Sequence, residues 1–186
     1  MSYKRWVLVA ILLFGIGLVF GLSTPLDFAS LVFEDITALE ELGGFLASLP
    51  SPLATAFIFA NNALVLVISF VLSPIFCLIP ILALTINGWL LAFVSVMASQ
   101  EASLGLVLAA LLPHGVFELP ALIMGEAVAL SFGVVVILAL FKKERRSRLL
   151  PSLKQHLKYL IIALVLFIPA AVIEIYVTPI VMKLMV

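Results

Sequence analysis

Five long apolar runs, at about residues 6–22, 52–72, 75–98, 116–141 and 159–182, constrain this chain more than any other feature. A helix needs about 20 apolar residues to cross a bilayer, and lipid leaves an unpaired backbone group nothing to bond. Continuous apolar runs exclude a transmembrane β-barrel, whose strands alternate. Composition agrees. Of the residues, 65% are hydrophobic and 11% charged, against about half and about a quarter in soluble domains. The expectation is a single-domain, all-α polytopic membrane protein with five transmembrane helices. Cys77, the single cysteine, lies in an apolar run, which excludes an intramolecular disulfide and reads as a buried thiol. Lys4-Arg5 ahead of the first run could pass for a signal peptide. The run is longer than a signal core and no A-x-A-like site follows it, so it reads as a retained span.

Charge sets the expected orientation. Lys4, Arg5, Lys142, Lys143, Arg145, Arg146, Arg148, Lys154 and Lys158 make nine of the ten Lys and Arg, before the first run or in the segment 142–158. The other connections carry acids: Asp27, Glu34, Asp35, Glu40 and Glu41 after the first run, and Glu101 in the polar Ser99-Gln100-Glu101 after the third. Basic segments stay on the cytoplasmic side. That places the N-terminus and a basic loop at 142–158 in the cytoplasm and the C-terminus outside the cell membrane. Residues 24–49 repeat apolar positions at helical spacing and read as an external amphipathic helix, ended or bent at Gly43-Gly44. The apolar run 104–112 is about 14 Å long as a helix, half a bilayer, and reads as a re-entrant half-helix.

The string Pro113-His114-Gly115-Val116-Phe117-Glu118-Leu119-Pro120-Ala121 is the most unusual in the chain. It sets helix breakers (Pro113, Gly115 and Pro120), a histidine and a carboxylate inside apolar surroundings. Such groups are costly against lipid and face protein or a wet cavity. With Asn61, Asn62, Asn87, Glu126 and Glu174, His114 and Glu118 form an intramembrane polar set expected to converge inside the bundle. His114, Glu118 and Glu126 are candidate ligands for a divalent metal ion, the one cofactor these residues point to. His and Glu at i, i+4 have workable ligand spacing, although no H-E-x-x-H is present. Other uses of the same groups are a proton or cation path, or hydrogen bonding that fixes one packing with Glu118 in the first turn after a helix break. Ala121, Gly125, Ala129 and Gly133 form a stripe of small residues, and Gly17 and Gly21 a small-xxx-small pair. Both permit close helix contact and make a homodimer a candidate assembly.

Phe59-Ala60-Asn61-Asn62, Asn87-Gly88 and the 113–121 string, followed by Gly125, resemble the stage II sporulation protein M family from about residue 51 to the C-terminus. The resemblance implies a non-enzymatic, multi-pass protein. The family's namesake is a membrane scaffold for peptidoglycan-cutting partners in endospore formers, and many relatives belong to organisms that do not sporulate. No catalytic residues transfer. The expected function is a scaffold or assembly partner, with the bilayer and a membrane or extracytoplasmic protein as partners and no nucleic acid. The alternative is a small transporter or channel for an ion or small solute that uses the His/Glu/Asn cluster. A polar cavity open to one face would favour the alternative.

Overall fold

The computed structural model describes residues 3–30, 41, 43–46 and 48–185. Helix α1 spans Tyr3–Ser23, and a 3-10 turn follows at Leu26–Ser30. Next come α2 at Ser51–Leu72, α3 at Leu78–Glu101 and α4 at Leu104–Phe141. A 3-10 helix at Lys143–Arg148 leads into α5 at Leu149–Tyr176, and a short α6 covers Thr178–Lys183. Five helices are long and apolar enough to cross a membrane, as the sequence predicts.

Helix α4 organises the bundle. It touches every other helix and buries 56% of its apolar window, against 17–28% for the other four candidate spans. It also divides the core. On one side Leu66 and Phe70 of α2 and Leu160, Ala163 and Phe167 of α5 pack on Ala121, Val128 and Ala129. On the other, Ala10 and Phe14 of α1 and Leu84 of α3 pack with Leu122, Ala127 and Leu130.

The directions of the helices follow from their contacts. A side chain at Gly17 would meet Thr85, and one at Gly21 would meet Trp89, so α1 and α3 run parallel. Asn62 bonds Glu118 and Ser69 bonds Glu126, so α2 and α4 run parallel. Ser131 meets His156 while Glu118 meets Glu174, so α4 and α5 run antiparallel. Parallel alternate helices are what an up-and-down chain with five crossings produces.

Three expectations change. Residues 104–112 are not a half-helix, because α4 runs unbroken through Pro113, Gly115 and Pro120 for 38 residues, about 57 Å. Each proline removes one backbone bond. In lipid, leaving the helix would strand more backbone groups at several kcal/mol each, so the helix continues. Residues 99–101 are not a loop either, since α3 reaches Glu101, and Ser103 caps α4 by accepting from the Leu106 amide at 3.3 Å. The basic segment 142–158 is not a loop but a 3-10 helix followed by the first turns of α5, with Pro151 in the first turn. Pro80 likewise sits in the first turn of α3.

The expected helix at 24–49 lies partly outside the described residues, Glu34, Asp35 and Glu40 among them. Within them, Asp27 lies in the 3-10 turn, and positions 41, 43–46 and 48 are helical, so Gly43-Gly44 does not end the helix. Phe45 meets Phe57 of α2 edge-on at 6.0 Å.

Candidate functional site

The residues that place a site are on α2, α4 and α5. His114 and Glu118 are one helical turn apart on α4 and therefore share a face. Their Nε2 and Oε2 atoms are 3.7 Å apart. Asn62 of α2 donates to Glu118 Oε1 at 3.3 Å. Glu174, two residues before the end of α5 and not at mid-span, swings in from the antiparallel side. One donor atom each from His114, Glu118 and Glu174 lie within 4.8 Å of one another.

These groups line a cavity of about 290 Å³ together with Asn61, Asn62, Phe57, Ile58 and Leu46. Glu118 is 14 residues along α4, while Phe57 is six residues into α2 and Glu174 two residues from the end of α5, so the cavity lies toward the end of the bundle where α2 begins and α5 ends. Leu46 brings the 43–46 segment against it. His114 Nδ1 is buried and has no hydrogen-bond partner among the described residues.

One imidazole nitrogen and two carboxylates suit a divalent cation of borderline hardness, such as Zn²⁺ or Mn²⁺. Donors at 2.0–2.2 Å from a tetrahedral ion are about 3.4 Å apart, so the present spacing needs to contract by about 1 Å. Two carboxylates facing one cavity repel each other, and a cation between them removes that repulsion. Asn62 orients Glu118 through that hydrogen bond, as a partner of a ligand would.

Glu126 is not part of this group. It is fully buried, eight residues and about 12 Å farther along α4. Ser69 of α2 donates to its Oε2 at 2.5 Å, while its Oε1 has no partner among the described residues. The expected metal set of His114, Glu118 and Glu126 is thus corrected: Glu174 stands where Glu126 was expected. Asn87 also falls away from the cluster. It is exposed on α3 and donates to the carbonyl of Ala83 in its own helix at 2.7 Å. Glu118 sits mid-helix, not in the first turn after a break.

The small-residue stripe of α4 faces the same neighbour as its carboxylates. Small Gly125 lies against Leu66 of α2 and Gly133 against the Ser73 carbonyl and Cys77, while Glu118 and Glu126 also meet α2. The helices interlock through alternating polar and small positions. Of these two glycines, Gly133 needs its small size more, since a Cβ there would lie 2.5 Å from the Ser73 carbonyl oxygen and not from a flexible side chain. Cys77 is a buried free thiol, as expected, donating to the Leu130 carbonyl.

Two polar partners escape a reading of the sequence. Ser69 gives no signal, because a lone serine in an apolar run reads as a small residue. His156 falls in the segment read as a loop, yet its Nε2 lies 2.8 Å from Ser131 Oγ and its Nδ1 2.6 Å from the Ser152 carbonyl. Its i, i+4 spacing from Ser152 would have been the clue.

The comparisons with known proteins agree with this layout. A family profile described as Stage II sporulation protein M matches residues 8–179. The chain is 25% identical over 174 residues to the uncharacterized protein MJ0793 of Methanocaldococcus jannaschii, covering 93% of each. It is 30% identical over 119 residues to the uncharacterized protein MJ0706 of the same organism, covering 63% of this chain and 52% of the relative. No solved structure matches the chain. The family match runs from α1 into α6 and takes in His114, Glu118, Glu174 and Asn62, and this multi-pass membrane protein therefore belongs to the stage II sporulation protein M family.

Proposed function

We propose that this protein is a non-enzymatic ion-handling protein of the cell membrane, which binds a divalent cation between His114, Glu118 and Glu174 as the recognition step of transport. The observation that carries this reading is the cavity of about 290 Å³ into which these three groups converge. A role in packing alone gives no reason for such space beside paired carboxylates. Asn61 and Asn62 supply further oxygen donors at the cavity wall. The positive-inside rule puts Lys4, Arg5 and the 142–158 segment in the cytoplasm, so ions would enter from the extracytoplasmic end, beneath the segment bearing Leu46.

The scaffold reading is favoured by a different observation. Past the site, Ala121, Val128 and Ala129 are fully buried and Leu66 and Phe167 close the flanks, so passage requires that layer to open. A protein that only assembles partners needs no such opening.

Flux of Zn²⁺ and Mn²⁺ into proteoliposomes separates the two. The transport reading expects uptake by the wild-type chain and none by Glu118→Gln or Glu174→Gln. Metal bound without flux would leave a cation-stabilised scaffold as the answer. Neither binding nor flux would remove the cation from the account altogether.

A further inference from the structure

A second cavity, of about 340 Å³, lies at the other end of α4 and is lined by Val135, Arg145, Arg148, Pro151, Ser152 and Gln155. We infer that this cavity is a binding site for a phosphate-bearing anion, held by the paired guanidiniums of Arg145 and Arg148.

The pairing follows from local geometry. Residues 143–148 form a 3-10 helix, in which side chains three apart eclipse. Arg145 and Arg148 therefore project the same way. Arg146, between them, is diverted: its Nε donates to the Ala139 carbonyl at 3.4 Å, which ties the turn to α4. Among the described residues neither the Arg145 nor the Arg148 side chain makes an ion pair or hydrogen bond. Two unpaired guanidiniums on one wall present planar donor forks, the geometry that suits phosphate oxygens. No acidic side chain lines the cavity, and Ser152 and Gln155 add neutral donors. Ser152 is held in place by His156, whose Nδ1 is 3.2 Å from its Oγ.

Depth favours a lipid headgroup as the source of that phosphate. Gly133 packs on the turn between α2 and α3, so α4 continues eight residues, about 12 Å, beyond that turn before it ends at Phe141. Headgroups occupy the layer just outside the hydrocarbon. Leu140 and Phe141, 64% and 76% exposed beside the basic turn, offer apolar surface to the same lipid.

The test uses the full chain purified in a neutral detergent. Bound phosphatidylglycerol is counted by native mass spectrometry, and thermal stability is followed against phosphatidylglycerol, phosphatidylcholine and inorganic phosphate. The variants are Arg145→Gln/Arg148→Gln and a charge-matched control, Lys142→Gln/Lys143→Gln. The expected result is retention of phosphatidylglycerol by the wild type and the lysine control, and about tenfold or greater weakening in the arginine pair. Stabilisation by inorganic phosphate at the same site, lost in the same variant, would assign a free phosphate in place of a headgroup. An equal loss in both double variants would overturn the inference, because diffuse charge would then explain the binding. So would retention in the arginine pair. Should the arginine pair fail to fold, Arg145→Lys/Arg148→Lys keeps the charge but loses the forks. Undiminished binding there would equally overturn it.

Discussion

The two sides of α4 are held together by different physics. On the α1–α3 side the helices meet backbone to backbone. Gly17, Gly21 and Gly88 leave no room for a Cβ at the crossing, and Trp89 stacks on Phe93 at 5.2 Å and donates to Thr24 at 2.9 Å. On the α2–α5 side, Gly125 and Gly133 also approach closely, but polar pairs and a cavity stand between those contacts. Lipid tails are as apolar as leucine, so burial alone does not drive helices together in a membrane. The α1–α3 side relies on dispersion at short range, which tolerates no added volume. The α2–α5 side relies on a few hydrogen bonds and keeps space for a ligand. One side is a clamp and the other a site.

The largest expected effect tests the clamp. Gly88→Leu drives a side chain into the Phe14 and Leu18 backbone of α1 and should cost about 3 kcal/mol or prevent folding, read by unfolding in a detergent mixture. A stable Gly88→Leu protein would break the comparison on its α1–α3 side.

The next effect tests the site. Saturating cation, at about 100 times its Kd, should stabilise the wild-type fold by about 2.7 kcal/mol. Glu174→Gln should abolish that gain while leaving the metal-free protein as stable as before, since it removes one of two facing carboxylates. A Glu174→Gln protein that melts early without metal would make Glu174 a structural group.

Ser69→Ala sharpens the distinction between the two carboxylates on α4. It leaves Glu126 buried without the hydrogen bond from Ser69 and should cost about 1–3 kcal/mol. Metal binding should be untouched. The smallest effect is Asn87→Ala, expected within about 0.5 kcal/mol because Asn87 is exposed and bonds only its own helix. His114→Ala and Glu118→Ala should exceed it in every assay.

Much of the fold is legible in the sequence because apolar length is nearly sufficient in a membrane. The five spans, the close contact at Gly17 and Gly21 and the buried Cys77 all follow from run length and residue size. The continuity of α4 through Pro113, Gly115 and Pro120 does not. Helix-breaking rules reflect water, which solvates a broken end, and lipid removes that alternative. The membership of the site is legible only in part. Glu118 and Glu126 look equivalent along α4, eight residues apart and both facing α2. What separates them is the register of α5, which sets Glu174 level with Glu118, and no spacing within one helix contains that register.

The most direct test of a site on one side and a clamp on the other is metal content by elemental analysis after Zn²⁺ or Mn²⁺ loading and gel filtration. It compares the wild type with Glu118→Gln, Glu174→Gln and Glu126→Gln. The account predicts about one ion per chain in the wild type and in Glu126→Gln, and none in the other two. Metal retained in both Glu118→Gln and Glu174→Gln, or absent from the wild type, would contradict it.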